Sequence, residues 1–175
     1  EHLLCYFDPE TLEKMSIGDT IDVRTQGQGM KLLDYPEILL RNMSPALLEK
    51  MNITEKDGKL TVGVAKIVPG CIMGSGLGAS TSYYGDYDIT LHDKQICQQY
   101  GLDQLRFGDI VAIQDADTRY GRNFITGAIT IGVVVHSDCI LSGHGPGVTT
   151  LMTCKTPLIE PVIDQSANLA DFFLK

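Results

Sequence analysis

In the stretch ITGAITIGVVVH, residues 125–136, bulky apolar side chains recur at every second position, the period of a β-strand rather than a helix. Ile125, Gly127, Ile129, Ile131, Val133 and Val135 share one face, a core face; Thr126, Ala128, Thr130, Gly132, Val134 and His136 share the other. That second face is small, partly polar and ends in an imidazole. It leaves room for a closely packed sheet or for a ligand, and a bulge at Gly132 would exchange the faces beyond it. Apolar or β-branched runs bounded by Gly, Pro, Asp or Asn predict further strands over 2–7, 19–25, 30–33, 37–42, 60–68, 109–114 and 147–153. Helices are fewer. Ser44 and Pro45 begin one that runs to Met51, Asp93 to Tyr100 stops at Gly101, and Ser166 to Leu174 is amphipathic.

The segments LEKMSIGDTIDV (12–23) and LDQLRFGDIVAI (102–113) share one grammar: a leucine and an acid, two apolar residues, then Gly-Asp and an alternating strand. A turn of helix docks the apolar pair, Gly permits the reversal and Asp leads into the strand. Recurrent grammar explains this better than duplication, and it suits small barrels in which each strand turns a corner. The predicted fold is therefore α+β and β-rich: a closed or strongly bent, mostly antiparallel, barrel-like sheet with a few short helices, one domain over 1–175. Strands without regularly interleaved helices argue against a doubly wound parallel sheet.

Composition narrows the function classes. At 175 residues the chain can bury a sizeable core. A formal net charge of −8 argues against nucleic acid or an anionic membrane as partner. No apolar run has the length of a membrane span. The 5 cysteines are scattered, without a C-x-x-C pair, which fits reduced thiols and a cytoplasmic location. The chain opens Glu1-His2-Leu3-Leu4-Cys5-Tyr6-Phe7, without Met and already strand-like; the expectation is a C-terminal fragment of a longer protein.

Candidate chemistry concentrates in VVVHSDCILSGHGPGVTTLMT, residues 133–153. His136, Asp138 and His144 offer two imidazoles and a carboxylate, enough to hold a divalent metal with positions left open; capping of the turn's own backbone is the competing account. The His-x-Asp opening is also that of the non-haem iron triad, but there the second histidine lies far downstream, so that match fails. Cys139 could pair with either histidine as a nucleophile, although most lone cysteines are inert. Gly143-His144-Gly145-Pro146-Gly147 can form an amide-lined concavity for an anion at Gly145, or simply a turn.

Two other constellations bear on ligand binding. In PGCIMGSGLGASTSYYGDYD, residues 69–88, Gly76, Ser80 and Ser82 offer amides and hydroxyls, and Asp86 and Asp88 follow amid three tyrosines. The run is neither a Walker loop nor a dinucleotide fingerprint; it reads as a lid, a clamp or a flexible loop. In Asp115-Ala116-Asp117-Thr118-Arg119-Tyr120-Gly121-Arg122, Asp117 and Arg122 are candidate substrate contacts, or partners in hairpin ion pairs. That loop is expected at the end of strand 125–136 opposite His136.

YFDPETLEKMSIGD, TQGQGMKLLDYPEI, GSGLGASTSYYGDYD, LRFGDIVAIQDADTRYGR and GVVVHSDCILSGHGPGVTTLMT together resemble the prokaryotic family known as domain of unknown function 4438. The resemblance spans nearly the whole chain and includes Asp86, Asp88, Asp115, Asp117, Arg122, His136, Asp138 and His144. It implies the larger, C-terminal part of a protein with roughly a hundred further residues upstream, and it implies no activity. A weaker similarity, in Gly-Asp lead-ins and Gly-rich turns, is to the acetamidase/formamidase barrels.

Two readings follow. One is a small-molecule enzyme, a metal-assisted hydrolase of an amide-like polar substrate, with His136, Asp138 and His144 on the metal. The other is a non-catalytic homo-oligomer that binds a small anion or scaffolds a complex. Both expect a small-molecule ligand and the upstream portion of the same protein as partners.

Overall fold

The structure is a computed structural model that describes residues 5, 7–74, 81, 83–89, 93–139 and 143–174. Helix α1 (Pro9–Lys14) is capped by Asp8 and buries no side chain. Helix α2 (Pro45–Lys50) begins as its sequence predicts: Ser44 Oγ accepts from the Leu47 N–H, with Pro45 in the first turn. Asp93 caps α3 (Lys94–Tyr100), which stops at Gly101 in the left-handed region, φ 61°. The last helix, α4 (Leu169–Phe173), starts later than Ser166 because Asn168 supplies its cap.

The strands are β1 (Leu39–Leu40), β2 (Ile53–Lys56), β3 (Lys59–Val64), β4 (Lys66–Pro69), β5 (Tyr87–Asp88), β6 (Ile110–Asp117), β7 (Asn123–His136), β8 (Gly147–Cys154) and β9 (Ile159–Ile163). They form two sheets. One has the order β1-β8-β7-β6-β4, with β5 also paired to β8; the other is β2-β3-β9.

The barrel-like expectation is overturned, because both sheets are open. The larger one ends at two-residue β1 on one side and at β4 on the other. Pairing is also mixed: β4 runs parallel to β6, and β3 parallel to β9. The physical reason lies in the Gly-Asp lead-ins, of which only the second delivers a paired strand. Gly108 (φ 78°) turns the chain and Asp109 precedes β6. After Gly18 (φ 103°), residues 19–25 belong to no strand, and neither do residues 30–33. Without those two segments nothing closes the sheet. Of the run 2–7, only Cys5 and Phe7 lie within the described residues.

The alternation of β7 survives as two cores. Ile129, Ile131 and Val133 join Val62 and Val64 of β3 on one side of the larger sheet. Val134 joins Val111, Ile113 and Val148 on the other. The room expected on the small face is filled. Thr130 Oγ1 donates to the Ala116 carbonyl at 2.8 Å and lies 2.8 Å from Thr153 Oγ1. A Cβ on Gly132 would strike the Val148 side chain. At Gly132 the register slips on the β8 side, since Ile131 pairs with Met152 and Gly132 with Thr150; the parity of β7 is kept. A second slip between Val134 and His136 sets His136 opposite Gly147.

Candidate metal centre

Three strands build the site. Gly147, the first residue of β8, pairs with His136 of β7 on one side and with Asp88 of β5 on the other. Asp88, Gly147 and His136 thus form one row across the sheet with the glycine in the middle. A Cβ on Gly147 would collide with Asp86 Oδ2 and His136 Nε2. The missing side chain is what lets the flanking groups meet.

The loop beyond β7 adds His144. It is held in a tight reversal: the Cys139 N–H donates to the His144 carbonyl at 2.8 Å, and the Gly143 N–H to the Cys139 carbonyl at 2.9 Å. Gly143 takes φ 75°, which L side chains avoid. The loop is then fastened to the end of β5, because the Gly145 N–H donates to Ile89 O at 2.7 Å and the Ile89 N–H to Pro146 O at 2.9 Å.

Asp86 Oδ2 lies 2.7 Å from His136 Nε2, Asp88 Oδ1 lies 3.2 Å from the same nitrogen, and Asp88 Oδ1 is 3.3 Å from His144 Nδ1. The two imidazole centroids are 5.4 Å apart at 64°, edge to face. One donor atom each from Asp88, His136 and His144 lies within 4.8 Å of the other two. The four side chains are 21–28 % exposed, so the cluster opens to solvent.

Backbone carbonyls orient both imidazoles. His136 Nδ1 faces the Ser137 carbonyl at 2.8 Å, and His144 Nδ1 faces the Gly145 carbonyl at 3.1 Å. Where Nδ1 carries the proton shared with the carbonyl, Nε2 of the neutral ring is a potential metal-ligand atom. His136 Nε2 faces both Asp86 Oδ2 and Asp88 Oδ1. Asp86 Oδ2 and Asp88 Oδ1 are themselves shielded from solvent and, among the described residues, have no partner with hydrogen-bond geometry. Two carboxylates this close to one ring nitrogen are matched either by an imidazolium or by a bound cation. Burial pushes the Asp88 carboxyl pKa up, reinforced by the charge of Asp86 and opposed by His144 and His136. Two imidazoles oriented by backbone carbonyls, with one or two carboxylates, form a ligand set suited to zinc or a similar divalent transition metal.

The expected site is partly assembled. His136 and His144 converge, and Asp86 joins them. Asp138 does not: it is exposed, and Asp88 stands where it was expected as third ligand. The reason is that β7 ends at His136, so the two-residue period no longer carries Asp138 to the same face. Gly145 has its amide engaged by Ile89 O. Gly76, Ser80 and Ser82 lie outside the described residues; Gly74, at the stem of that run, donates its N–H to Asp88 O at 2.5 Å. Asp117 and Arg122 lie at the start of β7, away from His136 as anticipated: Asp117 pairs with Asn123 in the ladder. Asp117 is buried and clasped by Arg119, with Nε–Oδ1 2.8 Å and Nη2–Oδ2 2.9 Å. Asp88 was visible only as the second carboxylate of a D-Y-D turn, and nothing local announced its partner strand.

Comparison with known proteins agrees with this architecture. Residues 50–173 match the model for the C-terminal domain of unknown function DUF4438, and residues 1–49 match the model for its N-terminal domain. The chain belongs to the DUF4438 family. Among curated proteins none matches. The crystal structure of TM1086 is 47% identical and superposes with a TM-score of 0.75, covering 83% of this chain and 51% of that one. The chain thus spans about half the length of that relative.

Proposed function

We propose that Asp88, His136 and His144 hold a divalent transition metal, with Asp86 at its side, and that the protein is a metal-assisted hydrolase of a small amide-like polar substrate. The supporting observation is the convergence of one donor atom each from Asp88, His136 and His144 within 4.8 Å, with Asp86 Oδ2 2.7 Å from His136 Nε2. A metal held by three protein ligands keeps open positions for water and substrate, and it lowers the pKa of that water toward neutrality. Solvent reaches the cluster, whose four side chains are 21–28 % exposed. Metal analysis and isothermal titration of the purified protein with zinc test the site. Stoichiometric metal that is lost in His136→Ala is expected; no binding of zinc, manganese or iron(II) overturns it. Release of ammonia from small amides, abolished by chelator and restored by metal, tests the reaction.

A second reading concerns assembly. Residues 16–26 are exposed throughout, including Ile17 at 109%, Ile21 at 46% and Val23 at 57%. Such apolar positions on an extended segment suit burial against further polypeptide, either the remainder of a full-length family member or a second copy. Sedimentation of this chain, alone and with the additional half that TM1086-like proteins carry, separates those partners.

A further inference from the structure

Gly27 divides a packed part of the chain from an uncovered one. A Cβ there would strike Met43 O at 2.6 Å, and beyond it Met30, Leu32 and Tyr35 pack against the core that holds Val62 and Ile131. On the other side α1 buries no side chain, and Leu12 is 54% exposed. Residues 19–26 belong to no helix, turn or strand, and among the described residues no hydrogen bond engages the backbone of residues 20–26. Their side chains nonetheless alternate: Ile21 and Val23 share one parity, Thr20, Asp22 and Arg24 the other. That is the pattern of a strand with one face on a core and one in water. Consecutive unengaged N–H and C=O groups beside two exposed β-branched side chains are what strand addition to another sheet consumes.

A second copy of this chain offers poor edges to receive such a strand. Among the described residues the two sheets end at β1, β4, β2 and β9. Strand β1 has two residues, β4 ends on Pro69, β9 carries Pro161 at its middle, and β2 closes with Glu55 and Lys56. Short length, proline and charge at an edge are the devices by which sheets refuse further strands. The family match points to a different neighbour. The segment lies within residues 1–49, which match the N-terminal domain of the family, whereas β2 to β9 all lie within the C-terminal match at 50–173. TM1086 is covered over 51% of its length, so about half of that relative is further polypeptide.

We infer that residues 19–25 are a strand donated to a sheet of the N-terminal domain of a DUF4438 protein, with Ile21 and Val23 against that domain's core and Asp22 and Arg24 facing solvent. This rests on the second reading above, burial of residues 16–26 against further polypeptide, and names the partner and the mode of contact. Co-expression of this chain with the half of TM1086 that it does not cover tests it. The two polypeptides should co-purify, and amide exchange at alternate residues at least within 20–25 should slow by about 100-fold or more relative to the chain alone. The two-residue period supplies the discriminating variants. Ile21→Asp and Val23→Asp should each abolish co-purification, whereas Asp22→Ser and Arg24→Ser should retain it. All four should leave the melting temperature of the chain alone unchanged, because the segment joins neither of its cores. Failure to co-purify, fast exchange across 20–25 in the complex, or equal losses from Arg24→Ser and Val23→Asp overturns the inference. A dimer of this chain alone that protects the same amides also overturns it, yet keeps the burial; a monomer whose segment exchanges fast in both preparations removes the burial as well.

Discussion

Gly147→Ala is the sharpest perturbation of the candidate metal centre, because it adds one methyl group and touches no ligand chemically. Gly147 has no positive φ, so alanine fits its backbone. The new Cβ points into the space shared by Asp86 Oδ2 and His136 Nε2. Both side chains are about a fifth exposed, 21% and 22%, and can swing toward solvent. The metal-free variant should therefore lose only about 1 kcal/mol, at the low end for overpacking. Metal binding should suffer far more, since His136 leaves the ligand set; a loss of affinity of at least about 100-fold follows. Metal at 100 times its Kd stabilises a native protein by about 2.7 kcal/mol. In a domain of this size that is a rise in Tm of roughly 5–10 °C, and the variant should show none of it. Gly132→Ala is the control. Its Cβ meets the Val148 side chain and, at 2.8 Å, Thr149 O inside the sheet, so it should lower Tm by several degrees and leave metal affinity intact. Thermal melts with zinc and with chelator read both effects. An unchanged metal-induced shift in Gly147→Ala refutes the geometry on which the site rests.

Three further outcomes are expected. Asp88→Asn should abolish zinc binding by titration calorimetry while Asp138→Asn retains it, since Asp138 is exposed and outside the cluster. Asp109→Ala should destabilise by about 3 kcal/mol and lower Tm by roughly 6–12 °C: the buried carboxylate takes the Arg106 N–H at 2.8 Å, Arg106 Nη2 at 2.9 Å and Asn168 Nδ2 at 2.7 Å. Finally, the folded-state pKa of Tyr87 lies above its unfolded value of 10.0, at about 12. The unfolded chain releases that proton first, so this contribution to stability is complete below pH 10 and declines as pH rises toward 12; denaturant melts of Tyr87→Phe should lack that part of the alkaline decline.

What the sequence disclosed depended on the range of the signal. The caps at Ser44 and Gly101 are local chemistry and appear where expected. The alternation of residues 125–136 is a strong two-residue period and yields β7 with its two core faces. By contrast, β5 is two residues long, too short to carry any period. Its role comes from pairing with β8 some sixty residues on, and so Asp88 was read as a tyrosine-flanked acid and not as a ligand. The parallel pairing of β9 with β3 is likewise non-local. Residues 19–25 have the alternation of a strand and lack a neighbour to pair with; pattern predicts which residues share a face, and only topology decides whether the face is covered. The Gly-Asp lead-ins specify corners, not closure.

The same limits explain why polar groups crowd into the bend after β7. A two-residue strand has few hydrogen bonds of its own, yet it must present Asp86 and Asp88 to one side and Tyr87 to the other. It is held from both ends: Gly74 donates to Asp88 O, Met73 bridges Ile89, and Ile89 exchanges bonds with Gly145 and Pro146. Each clamp demands a particular residue. A Cβ on Gly145 would strike Ile89 O at 2.5 Å, and one on Gly147 would enter the ligand cluster. The glycines at 145 and 147 therefore supply space for a second strand and for its carboxylates, while His136 and His144 supply the nitrogens. Had the loop been only a turn, its demands would end with its own backbone; here two of its glycines are required by groups on a different part of the chain.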